Sequence, residues 1–323
     1  MQQGLFTISL DFELFWGVKD HRTLEEYGEN ILGARKAIPL LLDLFAEYNI
    51  HVTWATVGYL FHDGRESLQK LQPQLLPTYD QKELSNVNTI SATGNSETED
   101  PYHYAPGLIK LIASTPGQEI STHTYSHYYC LEPGQTPLQF TADLNAALDV
   151  AKESGYELKS IVFPRNQYSE QHLRICKKAG LTAYRGNADS WIYSPSNRAD
   201  ESRLKRASRL LDAYVSWRPS QIHEVKPATE GQPVNVPASR FLRPYSTSLS
   251  FLEGFKLIRI QKEMFEAAKK RKLYHLWWHP HNFGKNTEEN LRQLRALLDY
   301  YRVLQKQYNM QSLNMSEIAA LVQ

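Results

Sequence analysis

Short apolar or β-branched segments alternate with segments of helical period along almost the whole chain, and this alternation limits the fold more than any other feature. Leu5, Phe6, Ile8 and Leu10 open a strand, Ile31, Ala34, Ile38, Leu41, Leu42 and Phe45 recur at helical spacing, and HVTWATVG (51–58) is a strand again. The same pattern predicts a helix near 106–114, a strand through Glu119-Ile120-Ser121, and a helix carrying Leu138, Leu144, Leu148 and Ala151. A strand at 160–163, a helix at 169–179 and a strand at 182–185 follow. Beyond these come a helix over 249–272, the strand LYHLWWH (273–279), a helix over 287–307, and a short final strand and helix with Ser316 as the N-cap. Strands separated by helices require a largely parallel sheet covered by helices, so the fold is α/β, either a barrel or a doubly wound sheet.

Two stretches depart from this rhythm. Residues 62–105 are polar, and 219–244 carry five prolines with little periodicity; both are expected to be irregular insertions in a single elaborated domain spanning 1–323. The net charge of +1 gives no global field that would mark a nucleic-acid binder. The basic runs at 203–209 and 269–272 are expected on solvated helix faces, and Cys130 and Cys176 as buried thiols outside any disulfide framework. No apolar stretch approaches a membrane span. Met1-Gln2-Gln3-Gly4 runs into the first strand without an export-signal pattern, so a cytoplasmic enzyme is expected, at most peripheral to the inner membrane face.

Five predicted strand ends deliver polar groups, and in α/β folds that edge gathers catalytic residues. In SLDFELFWG, Asp11 and Glu13 lie two positions apart, so strand alternation brings both carboxylates to one face, where they repel unless a cation compensates them. His123 and His127 follow the next such edge at a spacing that suits two imidazoles on one metal. Two imidazoles and a carboxylate make a catalytic zinc set with a position open for water, or, in a different chemistry, an iron site. Arg165 offers a guanidinium to pair with a carboxylate, Asp189 and Trp191 a carboxylate and an aromatic wall, and His279 and His281 imidazoles.

Taken in order, these segments resemble the five motifs of the polysaccharide deacetylase (NodB-homology) superfamily, carbohydrate esterase family four. Its H-(S/T)-x-x-H is met by His123-Thr124-Tyr125-Ser126-His127. Its R-P-P-Y-G is approximated by Arg165-Asn166-Gln167-Tyr168-Ser169, its D-W by Asp189-Ser190-Trp191, and its L-x-x-H by Leu276-Trp277-Trp278-His279. Its opening T-F-D-D becomes Ser9-Leu10-Asp11-Phe12-Glu13. The resemblance implies a distorted (β/α) barrel of about seven strands. It also implies one divalent metal ion per chain, with zinc expected, held by Glu13, His123 and His127, and Asp11 as general base. If Asp11 is the ligand instead, the two acids exchange roles. Arg165 would pair with Asp11, the Tyr168 backbone N–H would stabilise the oxyanion, His279 oriented by Asp189 would act as general acid, and Trp191 and Leu276 would line the acyl pocket.

The function so implied is removal of an N-acetyl or N-formyl group from an amino sugar during surface polysaccharide or glycan precursor synthesis. The substrate would be an N-acylated sugar, a nucleotide sugar or a lipid-linked glycan. Two other readings are a metal-independent, allantoinase-like hydrolase of cyclic amides, against which the intact histidine pair argues, and a non-catalytic glycan-binding barrel. A binder has no use for a base, an acid, an arginine and a metal set together. Of the tryptophans near the proposed site (Trp16, Trp54, Trp191, Trp277, Trp278), more are expected in the core than on a sugar platform.

Overall fold

A computed structural model describes residues 2–188, 208, 212–214 and 219–322. Strands β1 (Leu5–Phe12), β2 (Val52–Thr56), β3 (Gln118–Thr122), β4 (Ser160–Ile161), β5 (Ala183–Tyr184), β6 (Val234–Asn235), β7 (Arg240–Phe241) and β8 (Leu273–Trp278) form one parallel sheet in the order β6-β5-β4-β3-β2-β1-β8-β7. A ninth, β9 (Gln311–Ser312), pairs with β1. Helices α1 (Leu24–Tyr48), α3 (Pro106–Ser114), α4 (Pro137–Glu153), α5 (Glu170–Lys178), α6 (Glu253–Lys270) and α7 (Thr287–Tyr308) connect the strands.

β6 and β7 stand at opposite ends of the sheet order yet are separated only by residues 236–239. The N–H groups of Val234, Val236 and Ala238 donate to Thr182, Tyr184 and Gly186, whereas those of Ser239 and Leu242 donate to His275 and Trp277 of β8. One extended segment therefore leaves β5 and joins β8, curling the sheet into a distorted barrel of seven strand positions. This corrects the expectation for 219–244. Pro233 and Pro237 fall on the alternate positions whose missing N–H would face away from β5, so the prolines that obscure the strand in the sequence do not break its ladder.

Side chains of β1 alternate between two environments. Phe6, Ile8, Leu10 and Phe12 enter the main core beneath the helices, where Ile31, Ile38, Leu41 and Phe45 of α1 meet them. Leu5 joins a smaller core with Ala55, Val162, Ala183, Val234, Val236 and Leu273, packed against Met315, Ile318 and Ala319 of α8 (Met315–Ala320). Above it, Thr7, Ser9 and Asp11 are buried and polar. Local signals set the helix ends. Thr23 caps α1 through Glu26 N (3.3 Å) and Asn49 ends it in the left-handed region, while Thr136 and Gln139 form a capping box on α4. At α8 the cap is Asn314, which accepts from Glu317 N (3.0 Å); Ser316 lies inside the helix. α6 starts at Glu253, after a 3-10 turn over Thr247–Leu252, rather than at 249.

Residues 62–105 hold one short helix, α2 (Arg65–Lys70), and 3-10 turns over Lys82–Leu84 and Asn86–Ala92. Cys130 and Cys176 are buried and unbridged. Among the described residues no helix is long and apolar enough to cross a membrane.

Candidate active site

At the end of β1 the chain turns sharply. Glu13 leaves the extended region and Leu14 takes φ 46°, starting a 3-10 turn over Leu14–Gly17. The polar 62–105 segment braces this turn: Phe15 N donates to Tyr102 O (3.2 Å), Trp16 Nε1 to His103 O (2.7 Å), and Asn86 Nδ2 to Trp16 O (3.0 Å). Gly17 lies against the Glu13 carboxylate, where a Cβ would come within 1.9 Å of Cδ. The turn thus packs Glu13 into one position.

β3 ends in the loop His123–His127. His123 N extends the ladder to Thr56 O (2.9 Å), and Thr124 and His127 then take φ of 64° and 59°, a costly conformation for side chains of this type. The loop is tied down from α4. Asp143 accepts from Tyr125 N (2.7 Å), Ser126 N (3.1 Å) and Ser126 Oγ. Asn86 Nδ2 also reaches Ser126 O (2.9 Å), joining this loop to the Glu13 turn.

The two loops bring Glu13 Oε2 to 3.3 Å from His123 Nε2 and 3.1 Å from His127 Nε2. His123 Nδ1 faces the carbonyl of Val162 (2.8 Å), which only accepts, so Nδ1 donates to it and the ring is oriented with Nε2 toward Glu13. Three buried donors within 4.8 Å of one another, with the His123 ring held so that Nε2 faces the other two, fit a divalent metal. Burial opposes ionisation of Glu13, but His279, His123 and His127 outweigh it and hold the carboxyl well below its usual range.

Asp11 is held differently. Arg185, just beyond β5, donates to both its oxygens, Nη1 to Oδ1 (2.6 Å) and Nη2 to Oδ2 (2.8 Å), and lies 4.2 Å over the Trp277 ring. Burial raises the Asp11 pKa, and the Arg185 charge and hydrogen bonds, together with His123 and His279, more than reverse this. Arg165, expected in that role, instead pairs with Asp20 and Glu132 and lies 4.3 Å over the Tyr129 ring. Left-handed φ at Arg165 and Asn166 (51° and 54°) turns the chain after β4, and it is the Asn166 amide that reaches the Asp11 clamp, accepting from Arg185 Nη2 (3.0 Å).

His279, after β8, places Nε2 3.8 Å from Asp11 Oδ2 and 3.7 Å from Glu13 Oε1. Its Nδ1 lies 3.3 Å from Asn282 Oδ1. His281 stacks on it, its buried Nδ1 4.0 Å from Glu13 Oε1, and burial with the neighbouring His279 pushes its pKa down to about 3. These groups share a cavity of about 350 Å³ with Arg165, Asn166, Phe241 and Trp277.

One expected lining residue sits elsewhere. Leu276 faces the helix-side core, because β8 alternates and sends Trp277 into the cavity in its place. Tyr168, whose expected part is its backbone N–H, packs its ring against Phe163 and Tyr184. Asp189 and Trp191 lie outside the described residues. Trp16, Trp54 and Trp278 are fully buried. Arg185 was the residue that sequence reasoning missed, although it closes the strand Thr182–Arg185 just as Arg165 follows the strand before it.

The sequence model for polysaccharide deacetylases matches residues 32–184, a span that includes both loop histidines and Arg165 but not Asp11, Glu13, Arg185 or His279. No curated protein matches the sequence. Among solved structures, a protein named as a polysaccharide deacetylase from Mycobacterium smegmatis superposes with a TM-score of 0.62 at 14% identity, covering 99% of this chain and 91% of the other. One so named from Pseudomonas aeruginosa PAO1 gives 0.57 at 12%, covering 98% and 89%. A GH57-type branching enzyme from Pyrococcus horikoshii gives 0.54 at 13%, covering 99% and 70%. The barrel alone therefore does not choose the chemistry; it is the sequence over residues 32–184 that is similar to the polysaccharide deacetylases.

Proposed function

We propose that this protein is a metal-dependent hydrolase that removes an N-acetyl or N-formyl group from an amino sugar, in the synthesis of a surface polysaccharide or glycan precursor. The observation that carries the reading is the meeting, in one cavity, of the Glu13, His123 and His127 donor set with a clamped Asp11 and with His279 within 4 Å of both acids. A divalent ion on the three donors, zinc being the expected one, supplies Lewis acidity toward a water and an acyl oxygen.

The chain's own groups move the protons. Asp11, kept ionised by Arg185, accepts the proton of the attacking water as the carbon–oxygen bond forms. His279 gives a proton to the departing nitrogen as the carbon–nitrogen bond breaks, releasing the carboxylic acid and a free amine. The Arg185 clamp supports Asp11 as base and Glu13 as ligand rather than the reverse, since Glu13 is the acid whose oxygen faces both imidazoles. Phe241 and Trp277, with ring centroids 4.8 Å apart, supply the apolar wall for the acyl group or a sugar face.

The test is acetate release from N-acetylated oligosaccharides, nucleotide sugars and lipid-linked glycans, with and without chelator. Release from at least one, abolished by chelator and restored by zinc, is expected. Release that chelator leaves untouched contradicts the metal-dependent scheme.

A further inference from the structure

Beneath the cavity, the barrel interior holds a polar chain that the reaction scheme above does not use. It runs from Val236 on the barrel-closing segment to Asp11, and its members are buried to within a few per cent of completely. The direction of each hydrogen bond follows from the partners. Val236 O only accepts, so His275 Nδ1 donates to it (3.1 Å). Burial and the nearby Arg185 charge push the His275 pKa down to about 3, so the ring is neutral and Nε2 carries a lone pair. Ser9 Oγ, 2.8 Å away, must therefore donate to Nε2, which leaves the oxygen free to accept from Arg185 Nη1 at 3.0 Å.

The Arg185 account then closes. Nη1 has two hydrogens, for Ser9 Oγ and Asp11 Oδ1, and Nη2 has two, for Asp11 Oδ2 and Asn166 Oδ1. All four terminal hydrogens have partners, and among the described residues only the Nε hydrogen is left over. A guanidinium held at Asp11 alone could swing about that pair; the Ser9 and Asn166 contacts on its two sides fix its plane.

We infer that Ser9 and His275 are positioning residues for the reaction: through Arg185 they aim the Asp11 carboxylate into the cavity, tying the base to the segment that closes the barrel. The inference rests on the reading of Asp11 as general base. Neither residue lines the cavity or belongs to the metal donor set. Their loss should therefore act on turnover and leave substrate affinity and metal content in place.

The test compares Ser9→Ala, Ser9→Thr and Asp11→Asn in the full, zinc-loaded chain, by acetate release from N-acetylated chitooligosaccharide and by crystal structures. Ser9→Ala removes one oxygen from a strand position and keeps its fit. The expected result is a fall in kcat of about 10- to 100-fold, the range seen for other outer-layer hydrogen-bond partners, with KM and zinc content within twofold of wild type. Ser9→Thr, which restores the hydroxyl, should recover most of the loss. An inactive Asp11→Asn beside a Ser9→Ala with wild-type kcat overturns the inference and leaves the base assignment standing. Wild-type turnover by Asp11→Asn overturns the base assignment, and the inference falls with it. Should the wild type not turn over this substrate, the structures decide. Displacement of the Arg185 and Asp11 side chains in Ser9→Ala supports the positioning role, and unchanged positions overturn it.

Discussion

Gly17 has no side chain of its own at the site, yet it fixes where Glu13 can be. A methyl group there would overlap the Glu13 carboxylate, with Oε1 at 2.2 Å and Oε2 at 2.4 Å, so Gly17→Ala should expel Glu13 from the donor set. Zinc affinity, measured by competition with a chromophoric chelator, should drop at least about 10-fold; unchanged affinity would show that Glu13 is not a ligand. The two arginines make a second contrast. Arg185→Met strands a buried carboxylate and should cost about 3–5 kcal/mol of unfolding free energy. Arg165→Met should cost less, because Asp20 keeps its contact with His21 (2.7 Å) and the Arg165 side chain is 27% exposed. Chemical denaturation of both variants checks the order. At this scale Asp11, Glu13, His123, His127 and His279 were legible because each closes an apolar strand. Arg165 and Arg185 are equivalent by that rule, and the left-handed turn at Arg165 and Asn166 goes with Arg165 pairing to Asp20 and Glu132 while Arg185 reaches Asp11. Leu276 and Trp277 differ by one step of strand alternation, the smallest error that exchanges core for cavity.

Among the elements, the loop His123–His127 depends on a carboxylate that lies 16 positions beyond its second histidine. Asp143 satisfies two backbone N–H groups and the Ser126 hydroxyl while the loop carries two left-handed residues, so the helix offsets the strain in the ligand loop. Asp143→Ala should lower zinc affinity about 10- to 100-fold with helix content unchanged by circular dichroism, and Asp143→Asn should retain part of it. An Ala variant that binds zinc as the wild type does would show that the loop holds itself. Most strands were readable as elements, since each is a compact apolar run between helical periods. The β6–β7 segment was not, because five prolines in 219–244 mask a ladder that uses only alternate N–H groups. The final cap moved from Ser316 to Asn314 because both types cap well, and tertiary docking of α8 chose between them.

For the molecule as a whole, buried neutral histidines contribute to the acid limb of stability. His62 and His172 are pushed down to about 4 by burial, and His275 to about 3 by burial and Arg185. Their folded pKa values lie below the unfolded value near 6.5, so the unfolded chain takes up protons that the folded one refuses. The stability they contribute is complete above about pH 6.5 and is lost progressively as the pH falls toward 4. Tm should therefore drop between pH 7.5 and 5, and a His62→Gln, His172→Gln double variant should show a smaller drop; an equal drop would place the acid sensitivity elsewhere. The parallel barrel was half legible. Alternation of helices and strands left barrel and doubly wound sheet open, and the polar odd positions of LFTISLDF (Thr7, Ser9, Asp11) are the mark of an interior that leads to a site.

Asp11 as base and Glu13 as ligand, two acids two positions apart, are told apart by metal analysis of Asp11→Asn and Glu13→Ala, purified without chelator beside the wild type. The wild type and Asp11→Asn should each carry close to one divalent ion per chain, and Glu13→Ala should carry little or none. A full complement in Glu13→Ala together with a metal-free Asp11→Asn would reverse the two assignments, and a metal-free wild type that still releases acetate would rule out metal-dependent hydrolysis at this site.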